Sequence, residues 1–239
     1  MERPGLPVRL VVLTGAGVSA ESGVPTFRGP QGLWRQFRPG DLATPEAFQR
    51  DPRLVWEWYD WRRQAVARCR PNAAHSTLAC MERALPEMTL ITQNVDGLHQ
   101  RAGSRNVLEL HGSLWRARCV REGTVIPLTD VPLPQIPPRC RTCGALLRPD
   151  VVWFGEPLNA RTLQAAMEAS SRAEVMLVVG TSAVVYPAAQ LPLMALDHGA
   201  YLIEVNPEPT PLSPLAHERW AEPAGVALPR LWDMWQGAE

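Results

Sequence analysis

The chain has 239 residues, 46% of them hydrophobic, and its 24 basic side chains balance its 24 acidic ones, so the formal net charge is zero. A chain of this length can bury one substantial α/β core or a large domain with a smaller insertion, and we expect it to act as a monomer. The neutral balance lacks the basic footprint of a nucleic-acid or anionic-membrane binder, so we predict neither partner.

The beginning of the chain imitates a signal peptide only weakly. Two arginines precede the apolar run at residues 10–13, but a glycine-rich turn follows at once, whereas a secretory signal needs about 7–15 apolar residues. Pro187 and Pro192 interrupt the best candidate for a membrane span, which would need about 18 apolar residues. With an odd cysteine count and a Cys-x-x-Cys pair, these features predict a cytoplasmic protein.

Short apolar runs bounded by turn residues predict buried strands, at residues 8–13, 89–92, 107–110, 175–179 and 201–205. Helical patterns lie between several of these runs, at residues 72–85, 161–172 and 187–197. Strands that alternate with helices are typical of a doubly wound parallel sheet, so the sequence predicts a Rossmann-like α/β fold.

Two stretches interrupt this alternation. One is rich in tryptophan and charge, and the other contains five prolines between residues 127 and 138, which exclude a regular helix or a central strand. We predict a large domain made of residues 1–34, 71–115 and 149–239. The smaller inserted domain would consist of a helical part, residues 35–70, and a Cys/Pro-rich part that is similar to a zinc ribbon, residues 116–148.

The first predicted strand runs directly into a glycine-rich turn that begins at Gly15 and Gly17. Glycines allow a tight turn and close backbone approach, and the amides at the start of a following helix attract a pyrophosphate. A short Gly-x-Gly is equally compatible with an ordinary strand-to-helix turn, so by itself it leaves both interpretations open.

Polar side chains follow two further predicted strands at their carboxyl ends. Gln93, Asn94 and Asp96 follow the second strand, and His111 follows the third. Ordinary turn chemistry is one explanation, but parallel strands bring both groups to the same edge of the sheet, where open α/β sheets bind ligands. An imidazole with a pKa of roughly 6.5 accepts protons near neutral pH. His111 is therefore the candidate base, and we interpret the other four histidines as capping, surface or core residues.

These blocks, in order and content, resemble the sirtuins, and the resemblance spans almost the whole chain, with matching segments at residues 15–29, 93–97, 111–113, 151–157, 180–182, 206–210 and 223–229. The resemblance implies an NAD-dependent protein-lysine deacylase that consumes NAD and releases lysine, nicotinamide and O-acyl-ADP-ribose. Acylated-lysine proteins or peptides would be its partners.

The resemblance also implies roles for individual residues. His111 would be the general base that deprotonates a ribose hydroxyl, and Asn94 would share the catalytic site. Val152, Trp153 and Phe154, followed by Gly155, would form an extended strand that pairs with the substrate peptide. The residues expected to bind NAD are Gly15, Ala16, Gly17, Ser19, Ala20, Glu21, Pro25, Phe27, Arg28, Trp34, Gln93, Asn94, Asp96, Gly180, Thr181, Ser182, Asn206, Glu208 and Ala224.

Tyr59 and Arg62 lie three residues apart in a segment with a helical pattern, so they share one helix face. The pair matches the Tyr-x-x-Arg motif of class III sirtuins, which binds the distal carboxylate of succinyl- or malonyl-lysine. A planar guanidinium suits a carboxylate. The alternative is a helix face with a surface ion pair.

The metal motif departs from the family pattern of two Cys-x-x-Cys pairs. Cys140 and Cys143 form one intact pair, but Cys119 is followed three residues later by Glu122 instead of a cysteine. Three thiolates and one carboxylate would have to hold a structural Zn²⁺. A zinc site and an unmetallated module held by packing both stay open.

Three other activities fit parts of the pattern. A protein ADP-ribosyltransferase would use the same NAD pocket, and the sequence does not separate it from a side activity of a deacylase. The glycine-rich turn by itself would also fit a nicotinamide-dependent oxidoreductase, but no other motif supports that interpretation. A non-catalytic NAD-binding module would retain its function after loss of His111.

Overall fold

The structure, a computed structural model, describes residues 4–26 and 38–237. Its nine strands in the described chain are β1 (Arg9–Thr14), β2 (Glu87–Thr92), β3 (Val107–Glu109), β4 (Gly112–Cys119), β5 (Val125–Pro127), β6 (Leu147–Val151), β7 (Val175–Val179), β8 (Tyr201–Val205) and β9 (Glu218–Trp220). Its α-helices there are α1 (Pro39–Leu42), α2 (Pro45–Arg50), α3 (Pro52–Arg68), α4 (Ala73–Ala84), α5 (Leu98–Ala102), α6 (Ala160–Arg172), α7 (Leu191–Asp197) and α8 (Ala224–Gln236). Short 3-10 helices cover Ala16–Ser22, Ala188–Gln190 and Ser213–Leu215.

Six strands form a parallel sheet in the order β3-β2-β1-β7-β8-β9. The chain first adds strands on one side of β1 and later returns to add β7 on the other side. The loops after β1 and β7 therefore leave the sheet in different directions, and such a switch point opens a crevice at the carboxyl edge. The predicted α/β class with a parallel sheet is confirmed.

Two hydrophobic cores lie on opposite faces of this sheet. On one face Leu78 of α4 and Leu231 of α8 pack against strand residues, and on the other Ala166 of α6 and Leu191 of α7 do so. Both faces are covered, as the continuous apolar runs of β7 and β8 require. Asn72 caps α4, since its side chain accepts hydrogen bonds from the backbone amides of the first turn.

A smaller antiparallel sheet has the order β5-β4-β6 and shares a separate core with α2 and α3. Trp56 and Trp58 of α3 pack there with Leu114 of β4 and Leu147 of β6. The indole of Trp56 also donates a hydrogen bond to the Leu147 carbonyl, 2.7 Å away. A helical part and a Cys/Pro-rich part thus combine into one smaller unit beside the large sheet. The boundaries we predicted for the two domains stay a prediction.

All five predicted strands occur, with ends that differ by at most two residues at each terminus. The helix expected at residues 187–197 is divided into a 3-10 turn and α7, because Pro192 fits only the first turn of an α-helix. The pattern did not reveal the strands β4, β5, β6 and β9 or the helices α1, α2, α5 and α8. Within residues 4–26 and 38–237, no helix has the length and apolar content that a membrane crossing requires.

Candidate active site

A cavity of about 1150 Å³ opens at the switch point of the large sheet. Its walls come from the loops after β1, β2, β7 and β8, from helix α3, and from the segment that follows β6. The large sheet and the smaller unit therefore both contribute to one cavity. Its size is sufficient for a ligand larger than most drug-sized molecules.

The glycine turn after β1 packs directly against the turn after β7. The Gly17 amide donates a hydrogen bond to the Gly180 carbonyl at 2.8 Å, and a Cβ atom added to Gly17 would lie 2.7 Å from the Gly180 Cα. Gly180 itself has a positive φ of +60°, which favours glycine. Only glycines allow this close approach, which brings the backbones of the two turns together at the cavity wall.

Most of the residues predicted to bind NAD line this cavity, namely Gly15, Ala16, Gly17, Ala20, Glu21, Gln93, Asn94, Gly180, Thr181, Ser182, Asn206, Glu208 and Ala224. Ser19, Pro25 and Asp96 do not line it. Phe27, Arg28 and Trp34 lie outside the described residues. The adenine-side assignment of Ala224 is consistent with its buried place at the start of α8.

Ser19 and Asp96 form a buried network next to the cavity wall, and their direct contact with NAD stays a prediction. The Ser19 hydroxyl donates to the Asp96 carboxylate at 2.8 Å, and Asp96 also accepts from the Leu98 amide at 2.9 Å. The Asn94 side-chain amide donates to the Gly15 carbonyl at 3.0 Å and to the Ser19 hydroxyl at 3.3 Å. Both residues thus hold Asn94 and the glycine turn in place.

Two buried histidines extend this network. The His75 ring lies 3.3 Å from the Ser19 hydroxyl, and the His99 ring lies 3.0 Å from the Thr14 hydroxyl. Burial lowers the pKa of His75 to about 4 and that of His99 to about 3. Both rings are therefore neutral near pH 7, which agrees with the interpretation of these two histidines as core residues.

His111 lies on the cavity wall where the two units meet. Its Nδ1 is 3.0 Å from the Gln93 carbonyl oxygen, and since a carbonyl can only accept, Nδ1 carries the proton. In the neutral ring, Nε2 then retains its lone pair. Burial lowers the pKa of His111 below its usual value, although the Gln93 carbonyl opposes the shift. The geometry favours a neutral imidazole that can accept a proton.

The predicted acyl-binding residues line the same cavity. Tyr59 and Arg62 of α3 are both buried and both line the cavity, so the alternative of a surface ion pair is wrong for this helix face. The Arg62 guanidinium stacks on Trp58 at 4.9 Å from the ring centroid. Burial raises the pKa of Tyr59 to about 12, with Arg62 opposing the shift, so the phenol keeps its proton. Burial also lowers the pKa of Arg62.

The segment after β6 lines the cavity at Val152, Trp153, Phe154 and Gly155, but it is not the extended strand that we expected. β6 ends at Val151. The next three amides already donate within the chain: Val152 to the His111 carbonyl at 2.9 Å, Trp153 to the Glu156 carboxylate at 2.9 Å, and Phe154 to the Ala43 carbonyl at 2.9 Å. Because these donors are used, a peptide can pair here only through the remaining backbone groups.

The four predicted metal-binding groups converge in the smaller unit. The Cys119, Cys140 and Cys143 sulfurs and a Glu122 carboxylate oxygen all lie within 4.8 Å of one another. The Cys119 and Cys143 sulfurs are 3.5 Å apart, close to the roughly 3.8 Å expected around a tetrahedral zinc with Zn–S bonds of about 2.3 Å. The donor set fits one structural Zn²⁺, with Glu122 in place of the fourth thiolate.

Sequence reasoning missed several cavity residues. Val185 and Tyr186 line the cavity beyond the Gly180 turn, and Leu158 and Leu163 line it near the start of α6. Tyr186 is 65% exposed and lies at the rim. Its position a few residues after a strand end is the signal that would have placed it there, since such loops form the carboxyl edge.

Residues 15–187 match the profile of the Sir2 family. An NAD-dependent protein deacylase of Aquifex aeolicus is 57% identical over 226 residues, which cover 95% of each chain. One of the same name from Thermus thermophilus is 55% identical and covers 87% of this chain and 83% of the relative. A solved Sir2 homologue bound to NAD has a TM-score of 0.91 at 50% identity, covering 97% of this chain and 91% of the other. A Sir2 complex with a p53 peptide and NAD⁺ has a TM-score of 0.81 at 35% identity, covering 95% and 93%.

Proposed function

The chain belongs to the Sir2 family, and from that premise we propose that its cavity is a deacylase active site that prefers acyl-lysines ending in a carboxylate. The protein is an NAD-dependent protein deacylase. Family membership does not determine which acyl group the enzyme prefers or what each residue does. The arrangement of Tyr59, Arg62 and His111 around one cavity supports a proposal for the acyl preference and for the residue roles.

NAD fits the rim of the large sheet. Gly15, Gly17 and Gly180 line the cavity without side chains, and such an exposed backbone suits a pyrophosphate. When bound, NAD supplies the ADP-ribose that receives the acyl group and the nicotinamide that leaves. A solved Sir2 homologue holds NAD, which supports the same use of this rim here.

His111 is the general base of the proposed reaction. Its Nδ1–H donates to the Gln93 carbonyl, so Nε2 is the atom that accepts a proton from a ribose hydroxyl. The same carbonyl stabilises the ring once it is charged, because Nδ1 keeps its acceptor. Asn94 is held by Gly15 and Ser19 at the cavity wall, where it would contact the bound cofactor.

The carboxylate preference rests on one observation: Arg62 and Tyr59 are buried side by side in the wall of this cavity. Burial lowers the pKa of Arg62, and Tyr59 and Asp96 oppose this shift only in part, so a carboxylate in the cavity would further stabilise the charged guanidinium. A succinyl or malonyl carboxylate can accept from both Arg62 and the Tyr59 hydroxyl, and each charge-assisted contact contributes about 1.5–3 kcal/mol. An acetyl methyl group gains neither contact.

The test is the double variant Tyr59→Phe/Arg62→Met, assayed at saturating NAD with succinyl-, malonyl- and acetyl-lysine peptides of one sequence. We expect kcat/KM for desuccinylation to fall about 100-fold, since two charge-assisted contacts are lost, and deacetylation to change by less than about threefold. Arg53→Met, an exposed arginine on the same helix, is the matched control. Equal losses for all three acyl groups would refute the preference.

The peptide partner would bind across the segment at residues 151–156. A solved Sir2 relative holds a p53 peptide, which supports a peptide of this kind as the substrate. The zinc would be held by Cys119, Glu122, Cys140 and Cys143 and would stabilise the smaller unit. We also propose that the protein acts as a monomer in the cytoplasm, since none of its five cysteines forms a disulfide, which suits a reducing compartment.

A further inference from the structure

Trp153 is the residue that holds the Tyr59 hydroxyl. The indole Nε1–H donates a hydrogen bond to the Tyr59 oxygen at 2.9 Å, and both side chains are buried. An indole can donate but cannot accept. The Tyr59 oxygen is therefore the acceptor in this contact, and its own hydrogen must point away from Trp153.

The direction of that hydrogen matters because Tyr59 and Arg62 line the same cavity. A hydroxyl whose oxygen accepts from Trp153 has its hydrogen available for an acceptor in the cavity. A carboxylate is an acceptor and benefits from this orientation, whereas the methyl of an acetyl group does not. The contact thus discriminates between acyl groups without touching either of them.

Trp153 is itself fixed by an ion pair, which we call the Arg148–Glu156 clamp. The two guanidinium nitrogens lie 2.5 and 2.8 Å from the two Glu156 oxygens, a bidentate geometry. Glu156 also accepts the Trp153 amide hydrogen at 2.9 Å, and Arg148 donates to the Val151 carbonyl at 3.0 Å. The guanidinium carbon lies 3.6 Å from the centroid of the Trp153 ring.

The clamp differs from the surface ion pairs of this protein. The Arg148 and Glu156 side chains are 17% and 22% exposed, whereas the Arg53–Glu57 pair on α3 is 74% and 49% exposed. Burial by itself would raise the pKa of Glu156, but the hydrogen bonds from Arg148 and from the Trp153 amide lower it below its usual range. Glu156 therefore stays ionised near neutral pH, and the clamp holds both the backbone and the ring of Trp153.

We propose that Trp153, held by the Arg148–Glu156 clamp, is a positioning residue that sets acyl selectivity by orienting the Tyr59 hydroxyl toward the acyl end of the cavity. The inference rests on the carboxylate preference proposed above and extends it from the two residues that would touch the acyl group to three that would not. The indole N–H of Trp153 and the Arg148–Glu156 clamp have separate effects. The indole N–H acts on selectivity, and the clamp acts on the whole peptide-binding segment.

The decisive experiment is a double-mutant cycle between Trp153 and Tyr59 with succinyl- and acetyl-lysine peptides. Trp153→Phe keeps a ring against Phe48, whose centroid lies 5.4 Å away, but removes the N–H. We expect kcat/KM for desuccinylation to fall about tenfold, mainly through KM, and deacetylation to change less than about twofold. In the Tyr59→Phe background the same substitution should have no further effect on the ratio, because no hydroxyl remains to be oriented.

Two results would overturn the proposal: an equal loss with both peptides, or an undiminished effect in the Tyr59→Phe background. If Trp153→Phe fails to fold, benzothienylalanine at position 153, which has the shape of tryptophan without the N–H, replaces it in the cycle. If Tyr59→Phe by itself leaves desuccinylation unchanged, the carboxylate preference fails. If Tyr59→Phe reduces desuccinylation and the variants at 153 do not, only the positioning role fails.

The clamp has its own test. Glu156→Gln should raise KM for both peptides about tenfold and leave KM for NAD within about twofold, because the ion pair holds the peptide segment and not the sheet rim. Glu57→Gln, the same substitution in the exposed pair of α3, is the control and should change neither constant. Arg148→Lys, which keeps the charge but loses the bidentate contact, should give an intermediate KM. A Glu156→Gln enzyme that behaves like Glu57→Gln would contradict the clamp.

Discussion

The two ends of the cavity are built in different ways. The dinucleotide end lies at the edge of the parallel sheet and is built around two glycine turns, where Gly17 and Gly180 are in contact. The acyl end consists of large buried side chains, with Tyr59 and Arg62 from α3 and Trp153 from the segment after β6. The position of the dinucleotide end follows from the strand order, and its glycine turns have no room for an added Cβ atom. The acyl end depends on side-chain chemistry, so its selectivity can change without loss of the fold.

His111 lines the same cavity, and its loss should have the largest effect. Without the base, His111→Ala should lower kcat at least about 100-fold for every acyl group, since general base catalysis typically contributes 10²–10⁴-fold. The Kd for NAD should change by less than about threefold, because the sheet rim remains intact. Nicotinamide release and calorimetric NAD binding measure the two quantities. A variant that retains a tenth of the wild-type rate would remove His111 from the mechanism.

The dinucleotide end should respond to a single methyl group. In Gly17→Ala, the new Cβ would lie 2.7 Å from the Gly180 Cα, so the two turns must separate, and KM for NAD should rise at least about tenfold. The ratio of desuccinylation to deacetylation should stay the same. Gly5→Ala, where no atom lies within 4 Å of the added Cβ, is the control. A changed acyl ratio would show that the two ends are not independent.

Loss of the metal should affect peptide binding at the acyl end, although the cluster is not part of the cavity wall. Cys119 and Cys140 belong to the same hydrophobic core as Tyr59 and Trp153, so removal of zinc should raise KM for peptides more than KM for NAD. Glu122→Ala should weaken zinc binding at least about tenfold, and Glu122→Cys should strengthen it, because thiolates suit this ion in structural sites. Competition with a coloured chelator measures the affinity. Equal affinities for all three proteins would exclude Glu122 as a ligand.

The acid limb of the pH profile should show the smallest effect. A general base works while neutral, so activity falls as the pH drops through the pKa of His111. Burial lowers this pKa in the protein, and the limb should therefore lie below the ordinary value of about 6.5. The measurement is kcat/KM for the succinyl peptide between pH 5 and 8. A limb above the ordinary histidine value would mean that a different group controls the acid side.

The sequence predicted the dinucleotide end more completely than the acyl end. Apolar runs followed by polar turns determine which residues reach the sheet edge, so Gly15, Asn94 and His111 could be placed from the pattern alone. The pattern cannot tell whether a polar side chain at that edge faces the ligand or a neighbour. Ser19 and Asp96 bond to each other, and nothing in their spacing distinguishes them from Asn94.

The acyl end depends on contacts between residues far apart in the chain. The Trp153 hydrogen bond to Tyr59 spans 94 positions, and no local propensity reports such a distance. The strand expected at residues 152–154 does not form, and the amides of these residues bond instead to His111, Glu156 and Ala43. Hydrogen bonds to residues distant in the chain determine this backbone conformation, and the local sequence pattern does not.

The central claim is that one cavity couples NAD consumption to removal of an acidic acyl group. The most direct measurement incubates the protein with succinyl- and acetyl-lysine peptides, with and without NAD, and follows peptide mass together with free nicotinamide. We expect one nicotinamide for each acyl group removed, no reaction without NAD, and a higher kcat/KM for the succinyl peptide. Deacylation without nicotinamide release, a peptide that gains the mass of ADP-ribose instead, or faster deacetylation would contradict the account.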